Sequence, residues 1–395
     1  MAGEAKKKKF NLLFKPELKV RPEELDLNLV GILIFLLCFG ALVMFSASSS
    51  VAVRDWGSET HYLKKQLQAD LIGLVLMFAM LTVPQRWYRN YFAFLYFFSC
   101  ALVLLVIPFG IDSHGASRWV QIPGLGMNFQ PAEAAKLFMI IFMATMIDRL
   151  GDDINELHGF GVILALPIPI CAEILFITKN LSSAIIIYGI CFVMGFIVSE
   201  KSKYFYAIMG AAAAAALILV LVVNNSGVSG NAGFRLRRIA AWLHPETSTD
   251  ATAHQTLQGL YAIGSGGLWG KGLGQSVQKI SNLPEPHNDM IFNVICEELG
   301  LVGAWALMIM FVILLWRMYT IAANAKKKYE FMLVTGVMAH IAIQTVMNIA
   351  VATNSMPNTG VSLPFVSYGG SSVLFLLIEV GIVLRVGIVN YRGEG

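Results

Sequence analysis

Long apolar runs, separated by short polar segments, dominate the pattern of this chain. Each run stays apolar over about 20 consecutive residues instead of alternating every second residue, which is typical of a membrane-spanning helix and not of a barrel strand. A single long loop, residues 224–289, separates the seventh run from the eighth. The predicted spans are 27–53, 66–83, 91–109, 131–148, 159–178, 181–198, 204–223, 290–316, 331–352 and 366–389.

Composition agrees with this pattern. Of the 395 residues, 56% are hydrophobic and 14% are charged, with a mean hydropathy of +0.66, whereas soluble domains are about 25% charged. We therefore predict an all-α, polytopic integral membrane protein with about ten transmembrane helices, because lipid admits only helices or closed barrels. A basic tail over 1–26 precedes the transmembrane domain 27–390, and 391–395 form a short end.

Basic residues predict the orientation of the chain. If the N-terminus is inside, 18 of the 29 lysines and arginines lie on the cytoplasmic side. Cytoplasmic loops are enriched in such residues, so both termini are predicted inside and the loop 224–289 outside. The four lysines from Lys6 to Lys9 suit the anionic lipids of the inner leaflet or act only as an orientation signal.

Cysteine and histidine point to no metal or disulfide chemistry. The five cysteines lie within predicted spans without paired spacing, and the seven histidines are scattered. Such cysteines are typical of small buried hydrophobic residues, and the histidines make no zinc-binding pattern. No nucleic-acid partner is expected.

Asp289 is the most informative single residue. It closes a polar run and directly precedes the apolar run that begins at Met290. An ionisable side chain at the mouth of a membrane helix indicates a functional site. An aspartate in this position is also typical of a helix N-cap, and position alone does not decide between the two.

Glu133 and Lys136 are charged residues at the outer end of the fourth predicted span. A spacing of three places them on one helix face, where they are expected to form an ion pair. The pair either serves as scaffold, since lone charges in a membrane are costly, or contacts the substrate directly. Glu173, in the fifth span, is a further buried acid for which the sequence offers no partner.

Several basic residues are predicted on the outer side. Each by itself is typical of an interfacial anchor, but together they could bind a lipid-linked phosphate. These residues are Lys64, Lys65, Arg118, Lys179, Arg235, Arg237 and Arg238.

A glycine-rich segment, residues 264–274, surrounds Lys271. It lacks the Walker pattern, since Ser265 and Gly272 stand where that pattern needs Gly and Ser or Thr. The glycines would let the backbone approach a sugar phosphate, or pack a re-entrant turn.

These segments, taken together, resemble the SEDS proteins (shape, elongation, division and sporulation). The resemblance covers about residues 27–390 and is closest to the FtsW/SpoVE branch through residues 283–289, with a RodA-like protein as the alternative. The motifs that carry it, in family order, are 115–119, 130–137, 258–274, 283–292, 297–300 and 357–372.

The resemblance implies a peptidoglycan glycosyltransferase that polymerises lipid II outside the cytoplasmic membrane of a bacterium. It places the essential loop acid on Asp289 and the acid–base pair on Glu133 and Lys136. It also brings Lys271 and Ser367, within the motifs, into the set of candidate substrate-binding residues. Relatives commonly carry Asp where this chain has Asn180, which leaves Glu173 as a substitute acid.

Partners and cofactors follow from the same resemblance. They are a class B penicillin-binding protein, whose transpeptidase crosslinks the strands, and other membrane proteins of the divisome or elongasome. A divalent cation, Mg²⁺ or Mn²⁺, is left open. One general base and cationic groups are enough for the reaction, because a pyrophosphate leaves without an acid once its charge is neutralised.

Two other functions stay open. A lipid II flippase should show charges across both leaflets, whereas the charges appear confined to the outer edge apart from Glu173. A noncatalytic scaffold of the division machinery would need only surfaces, and would not explain a lone acid at Asp289.

Overall fold

The computed structural model describes residues 20–113, 116–121, 128–225, 234–246, 248, 251–281 and 283–393. In this part of the chain, a helix or a pair of consecutive helices coincides with each of the ten predicted spans. The helices are α1 (Leu27–Trp56), α2 (His61–Met80), α3 (Gln85–Asn90), α4 (Phe92–Leu104), α5 (Val106–Phe109), α6 (Pro131–Leu150), α7 (Leu157–Ala165), α8 (Ile168–Phe176), α9 (Leu181–Val198), α10 (Lys203–Asn225), α11 (Phe234–Leu243), α12 (Ala251–Gly266), α13 (Gln278–Ser281), α14 (Ile291–Ala323), α15 (Lys328–Ala352) and α16 (Gly370–Arg392).

Eight segments of the described chain are long and apolar enough to cross a membrane: α1, α4 with α5, α7 with α8, α9, α10, α14, α15 and α16. The helices at the other two predicted spans, α2 and α6, are each 20 residues long. Both carry several charged side chains, among them Lys64 and Lys65 on α2 and Glu133 and Lys136 on α6. The predicted all-α, polytopic membrane fold is confirmed, while the count of ten spans and the orientation stay predictions.

Three helices make up the centre of the bundle. In α16 and α15, 78% and 67% of the most apolar stretch is buried inside the protein, and α6 buries most of its length between α4, α9, α15 and α16. A helix that is apolar all round is expected in such a position. By contrast, only 6% of the corresponding stretch of α10 is buried.

A small antiparallel sheet, absent from the sequence prediction, follows α5. Its strands are β1 (Gly110–Ser113), β2 (Ala116–Gln121) and β3 (Asn128–Phe129), in the order β1-β2-β3, with Ile111 opposite Trp119. Open strand edges are tolerated where water can reach them. The strand β2 carries Arg118 and so gives this residue a fixed position.

A break inside α14 is filled by the glycine-rich segment. Gly300 has φ of 66°, and the N–H groups of Leu301 and Val302 donate to the carbonyls of Gly267 and Leu268. A Cβ on Gly300 would overlap the backbone nitrogen of Gly270. The glycines therefore serve the close approach of two backbones, which agrees with a packed re-entrant turn.

Two ion pairs fasten the chain between α12 and α14 to α14 itself. Lys271 Nζ lies 2.8 Å from Glu297 Oε1, and Lys279 Nζ lies 2.6 Å from Glu298 Oε1. Ser46 of α1 also donates to Glu298. The chain between α12 and α14 is thus held at two points before it reaches Asp289.

Candidate functional site

Asp289 lies in the loop that leads into α14. The helix begins at Ile291, its N-cap residue is Met290, and no side chain makes a capping hydrogen bond there. The N-cap interpretation of Asp289 is therefore wrong. The carboxylate instead accepts a hydrogen bond from Gln255 of α12, with 3.2 Å between Nε2 and Oδ1.

The surroundings of Asp289 disfavour its ionised form. Burial, reinforced by the negative charge of Glu285, raises the pKa of Asp289 to about 7. The hydrogen bond from Gln255 and the positive charge of Arg238 oppose this rise only partly. A carboxylate with a pKa near the working pH is suited to accept and release a proton.

Backbone and side-chain bonds hold the loop that carries Asp289. Asn348 of α15 donates to the carbonyl of Asp289 at 2.9 Å, and the amide N–H of Tyr368 donates to the carbonyl of His287. The His287 ring also packs against Tyr62 and Tyr368, with ring centroids 4.5 and 5.7 Å away. The loop that carries Asp289 is therefore held in place by contacts with α2, α15 and the residues just before α16.

Two arginines from different elements, Arg118 and Arg238, lie close enough for their charges to interact. Arg238 of α11 donates to the carbonyl of Asn358 at 3.2 Å, and Arg118 of β2 donates to the carbonyl of Lys179 at 3.3 Å. Burial, and then the positive charge of Arg238, lower the pKa of Arg118. Two guanidinium groups that feel each other's charge favour an anion between them.

A chain of polar contacts connects this cationic region with the acid. Asn358 donates to Gln255 Oε1 at 2.9 Å, and Gln255 in turn donates to Asp289. A continuous series of hydrogen bonds thereby links Arg238 to Asp289 through Asn358 and Gln255. A cationic group and a carboxylate are thus connected through residues of α11, α12 and two loops.

The other candidate residues occupy more varied positions. Asn180 is the N-cap of α9, where its side chain accepts from the Ser183 amide at 3.1 Å. Asn caps a helix about as well as Asp, so this position caps α9 without a carboxylate. The Lys65 ammonium lies over the Trp56 ring, 5.3 Å from its centroid, and Lys64 shares the first turn of α2.

Lys271 and Ser367 have partners within the protein. Lys271 pairs with Glu297, and the Ser367 hydroxyl donates to the carbonyl of Asn288 at 2.7 Å while accepting from the Leu363 amide. Both residues therefore hold loops in place, and substrate contact by either stays a prediction. Arg235 belongs to α11, but its side chain lies outside the described part of the structure.

Glu133 and Lys136 form the expected ion pair. Lys136 Nζ lies 2.8 Å from Glu133 Oε1 and also donates to Gln344 Oε1 at 3.2 Å. The side chains are only 7% and 2% exposed, respectively. Such a pair is costly to leave incomplete, which favours the scaffold interpretation over direct substrate contact.

Glu173 does not join the site around Asp289. It lies on α8 and interacts with the Cys100 thiol of α4. Its position therefore gives no support to a role as the substitute for an acid at Asn180.

The sequence analysis missed several buried polar residues. Ionisable side chains are also buried on α15 and α16, away from the ends of these helices nearest to Asp289, so their confinement to the outer edge was wrong. They are Glu330, His340, Glu379 and Arg385, all at most 2% exposed. His340 and Gln344 are four residues apart in an apolar run, and Asn348 follows four residues later. This spacing was the signal that could have revealed them, since polar residues within a span are usually functional.

The fold and the site thus define a polytopic membrane protein in which a partly buried acid, Asp289, is linked by hydrogen bonds to a cationic residue, Arg238. The family model for FtsW, RodA and SpoVE, described as cell cycle proteins, matches residues 27–391. The chain belongs to this family, which confirms the SEDS resemblance.

Similar proteins cover nearly the whole chain. A probable peptidoglycan glycosyltransferase FtsW of Trichlorobacter lovleyi is 35% identical over 93% of this chain and 94% of its own length. Stage V sporulation protein E of Bacillus subtilis is 35% identical over 91% of this chain and 96% of its own.

Solved structures show the same fold. A chain of a peptidoglycan synthase complex that coordinates polymerization and crosslinking matches with a TM-score of 0.75 at 26% identity, over 93% of this chain and 99% of that one. The rod shape determining protein RodA of Thermus thermophilus matches with a TM-score of 0.67 at 25% identity, over 93% and 98%.

Proposed function

We propose that this protein is a peptidoglycan glycosyltransferase that polymerises lipid II at the outer face of the bacterial cytoplasmic membrane, with Asp289 as the general base. The observation that carries the proposal is a partly buried Asp289, with a pKa of about 7, linked to Arg238 through Gln255 and Asn358. Relatives named as probable peptidoglycan glycosyltransferases support the class of reaction. Cell division or cell-shape maintenance is the expected setting.

The reaction needs one proton acceptor. A sugar hydroxyl of one lipid II attacks the anomeric carbon of the growing strand, a new C–O bond forms, and the bond from that carbon to the lipid pyrophosphate breaks. The hydroxyl proton passes to the Asp289 carboxylate. A positioned base of this kind contributes typically 10²–10⁴-fold in rate.

The leaving group needs positive charge more than a proton. Arg238 is linked to Asp289 through Asn358 and Gln255, and Arg118 lies close enough to Arg238 for its charge to have an effect. Guanidinium groups bind phosphate oxygens in pairs. Lys179, whose carbonyl accepts from Arg118, adds a third cation at the same rim. Charge developing on the pyrophosphate is thereby stabilised in a fixed environment.

A divalent cation would find only part of its ligands in the protein. Among the described residues, no group of three His, Cys, Asp or Glu side chains is placed to hold a metal ion. Mg²⁺ is commonly bound by one or two carboxylates together with substrate phosphates, but Asp289 cannot hold such an ion directly and serve as the general base at once, so the substrate phosphates would supply most of its ligands. There it would neutralise pyrophosphate charge alongside the arginines.

The partner is proposed from the same family. A chain of this fold takes part in a complex that coordinates polymerization and crosslinking. A class B penicillin-binding protein, which supplies the transpeptidase, is therefore the expected partner, together with other membrane proteins of the divisome or elongasome.

A lipid II flippase is the second candidate. The observation that favours it is the set of buried ionisable residues of α15 and α16, including Glu330, His340 and Glu379, which places polar groups along the length of the bundle. A flippase would move labelled lipid II across proteoliposome membranes whether or not Asp289 can accept a proton. Movement of lipid II without polymerisation would favour the flippase. If neither movement nor polymerisation occurs, a noncatalytic scaffold is favoured.

Asp289→Asn separates a catalytic acid from a structural one. The amide keeps the shape and the hydrogen-bond acceptor but has no useful proton affinity. We expect polymerisation of labelled lipid II by the purified protein with its partner to fall by at least about 100-fold, with expression and partner binding unchanged.

The matched control is Glu59→Gln, which neutralises an exposed acid of another outer loop. Its activity is expected to stay within about twofold of wild type, because exposed charges have weak effects. Activity of Asp289→Asn within a few-fold of this control would overturn the catalytic assignment.

A further inference from the structure

Three polar side chains form a ladder on one face of α15. His340, Gln344 and Asn348 are spaced by four residues, which places them above one another on a helix, and they are 0%, 1% and 0% exposed. In a membrane-spanning helix, such buried polar groups need partners. Each of the three side chains has at least one partner outside α15.

Asn348 is the upper rung and binds two loops at once. Its amide nitrogen donates to the carbonyl of Asp289 at 2.9 Å and to the carbonyl of Val361 at 2.8 Å. An amide group carries two hydrogens, so both are used. Asn348 thereby joins the backbone of the proposed base to the loop that carries Asn358.

Gln344 is the middle rung and binds the charged pair of α6. Its side-chain oxygen accepts from Lys136 at 3.2 Å, and its nitrogen donates to the carbonyl of Ser362 at 3.1 Å. Asn348 and Gln344 thus hold consecutive residues, Val361 and Ser362, of one loop. Lys136 and Asp289 are tied to that loop through neighbouring rungs.

His340 is the lower rung and fixes Gln344. Its Nε2 lies 2.9 Å from Gln344 Oε1, and its Nδ1 lies 2.8 Å from Glu379 Oε2 on α16. Because Oε1 can only accept, Nε2 carries a hydrogen. The orientation of Gln344 is therefore fixed by α16, through His340, and by α6, through Lys136.

We propose that α15 is a positioning helix for catalysis: Asn348 and Gln344 set the distance between the Asp289 loop and the Glu133–Lys136 pair. Neither residue is placed to touch the substrate, since both are buried. Their effect on the reaction passes through the backbone of Asp289 and through Lys136. The inference rests on the proposed role of Asp289 as the general base.

Asn348→Ala tests the upper rung. Misplacing a catalytic group by about 1 Å can cost about 100-fold in rate, so kcat for lipid II polymerisation is expected to fall by about that factor, with KM within about threefold. Hydrogen–deuterium exchange of residues 283–290 should become faster. Gln344→Met, similar in volume but without the hydrogen bonds of the amide, should lower kcat by about tenfold.

The matched control is Asn390→Ala on α16. Asn390 makes the same kind of bond, from its amide to the carbonyl of Ile321 on α14 at 3.1 Å, but at the opposite end of the bundle. A comparable loss of thermal stability with kcat near wild type is expected. If Asn348→Ala does not fold, Asn348→Ser takes its place, since a serine hydroxyl can bond to its own helix four residues back.

The outcomes separate this inference from the proposed function. If Asp289→Asn is inactive while Asn348→Ala and Asn348→Ser match Asn390→Ala in kcat and in exchange of 283–290, the positioning role is overturned alone. If Asp289→Asn is active, the proposed function fails first. A selective loss of kcat in the Asn348 and Gln344 variants, with KM kept, supports the positioning role.

Discussion

At the scale of single residues, the environment of Asp289 determines what this acid can do. Burial costs the ionised form its hydration, and Glu285 adds repulsion, so the pKa lies near 7. Below this pH the carboxyl is protonated and cannot accept a proton from the substrate. The same burial also makes the ionised acid a source of instability.

The pH dependence of activity follows directly. We expect kcat/KM for lipid II polymerisation to fall below a pH of about 7, the pKa of Asp289. Glu285→Gln removes a negative charge that raises this pKa, so the acid limb should move to lower pH. A profile measured from pH 5 to 9 checks both; an unmoved limb in Glu285→Gln would contradict the assignment of this limb to Asp289.

Stability should depend on pH in the opposite sense to that of a paired acid. A folded-state pKa raised from 3.8 to about 7 means that the folded protein holds the proton more tightly than the unfolded chain, so stability is lost as pH rises through this range. Asp289→Asn should therefore have a higher Tm than wild type at pH 8. The difference should shrink at pH 5, and a lower Tm at pH 8 would contradict it.

At the scale of elements, α6 depends on its internal ion pair. Glu133→Ala leaves a lone cation and Lys136→Ala a lone anion, and breaking a well-buried pair costs about 3–5 kcal/mol. We expect both variants to lose stability, measured by thermal unfolding in detergent. The exchange Glu133→Lys with Lys136→Glu should recover folding and part of the activity.

The outcome for the exchanged variant decides the role of the pair. If it is stable in membranes but inactive, the orientation of the pair matters, as it would if Gln344 needed Lys136 as its donor or if the substrate touched either residue. If it is unstable, mutual neutralisation alone does not account for the role of the pair, and the contact between Lys136 and Gln344 is a necessary part of the scaffold.

The break in α14 makes a second prediction at this scale. Gly300→Ala would place a Cβ against Gly270 in a backbone conformation with φ of 66°, which only glycine adopts easily. We expect a marked loss of stability and displacement of the segment 267–272. Gly387→Ala is the control, since its Cβ would lie 3.8 Å from the nearest atom of Ile321 and alanine favours helix.

At the scale of the whole molecule, orientation is the remaining prediction. A cysteine at Ser58, exposed between α1 and α2, should react with a membrane-impermeant maleimide in intact cells, and one at Lys327, exposed between α14 and α15, should not. The wild-type protein, whose five cysteines lie in predicted spans, is the background control. The reverse labelling would place Asp289 inside and overturn an outward-facing active site.

The sequence by itself determined the class of fold and the position of most helices. Ten apolar runs were visible because lipid imposes the same requirement on every turn of a spanning helix, whatever its neighbours. The pair on α6 was also visible, since a spacing of three residues makes Glu133 and Lys136 neighbours on any helix. Rules that depend only on residues close in sequence therefore predicted the helices and the ion pair within one helix.

Only the tertiary structure decided how Asp289 is used. The partners of this acid, Gln255 and Asn348, come from positions 34 residues before it and 59 residues after it, and no local pattern specifies such distant contacts. The sheet that carries Arg118 and the turn that fills the break at Gly300 depend likewise on backbones from separate segments. Burial, which raises the pKa of Asp289, is a property of the whole packing and so appears only once the chain is folded.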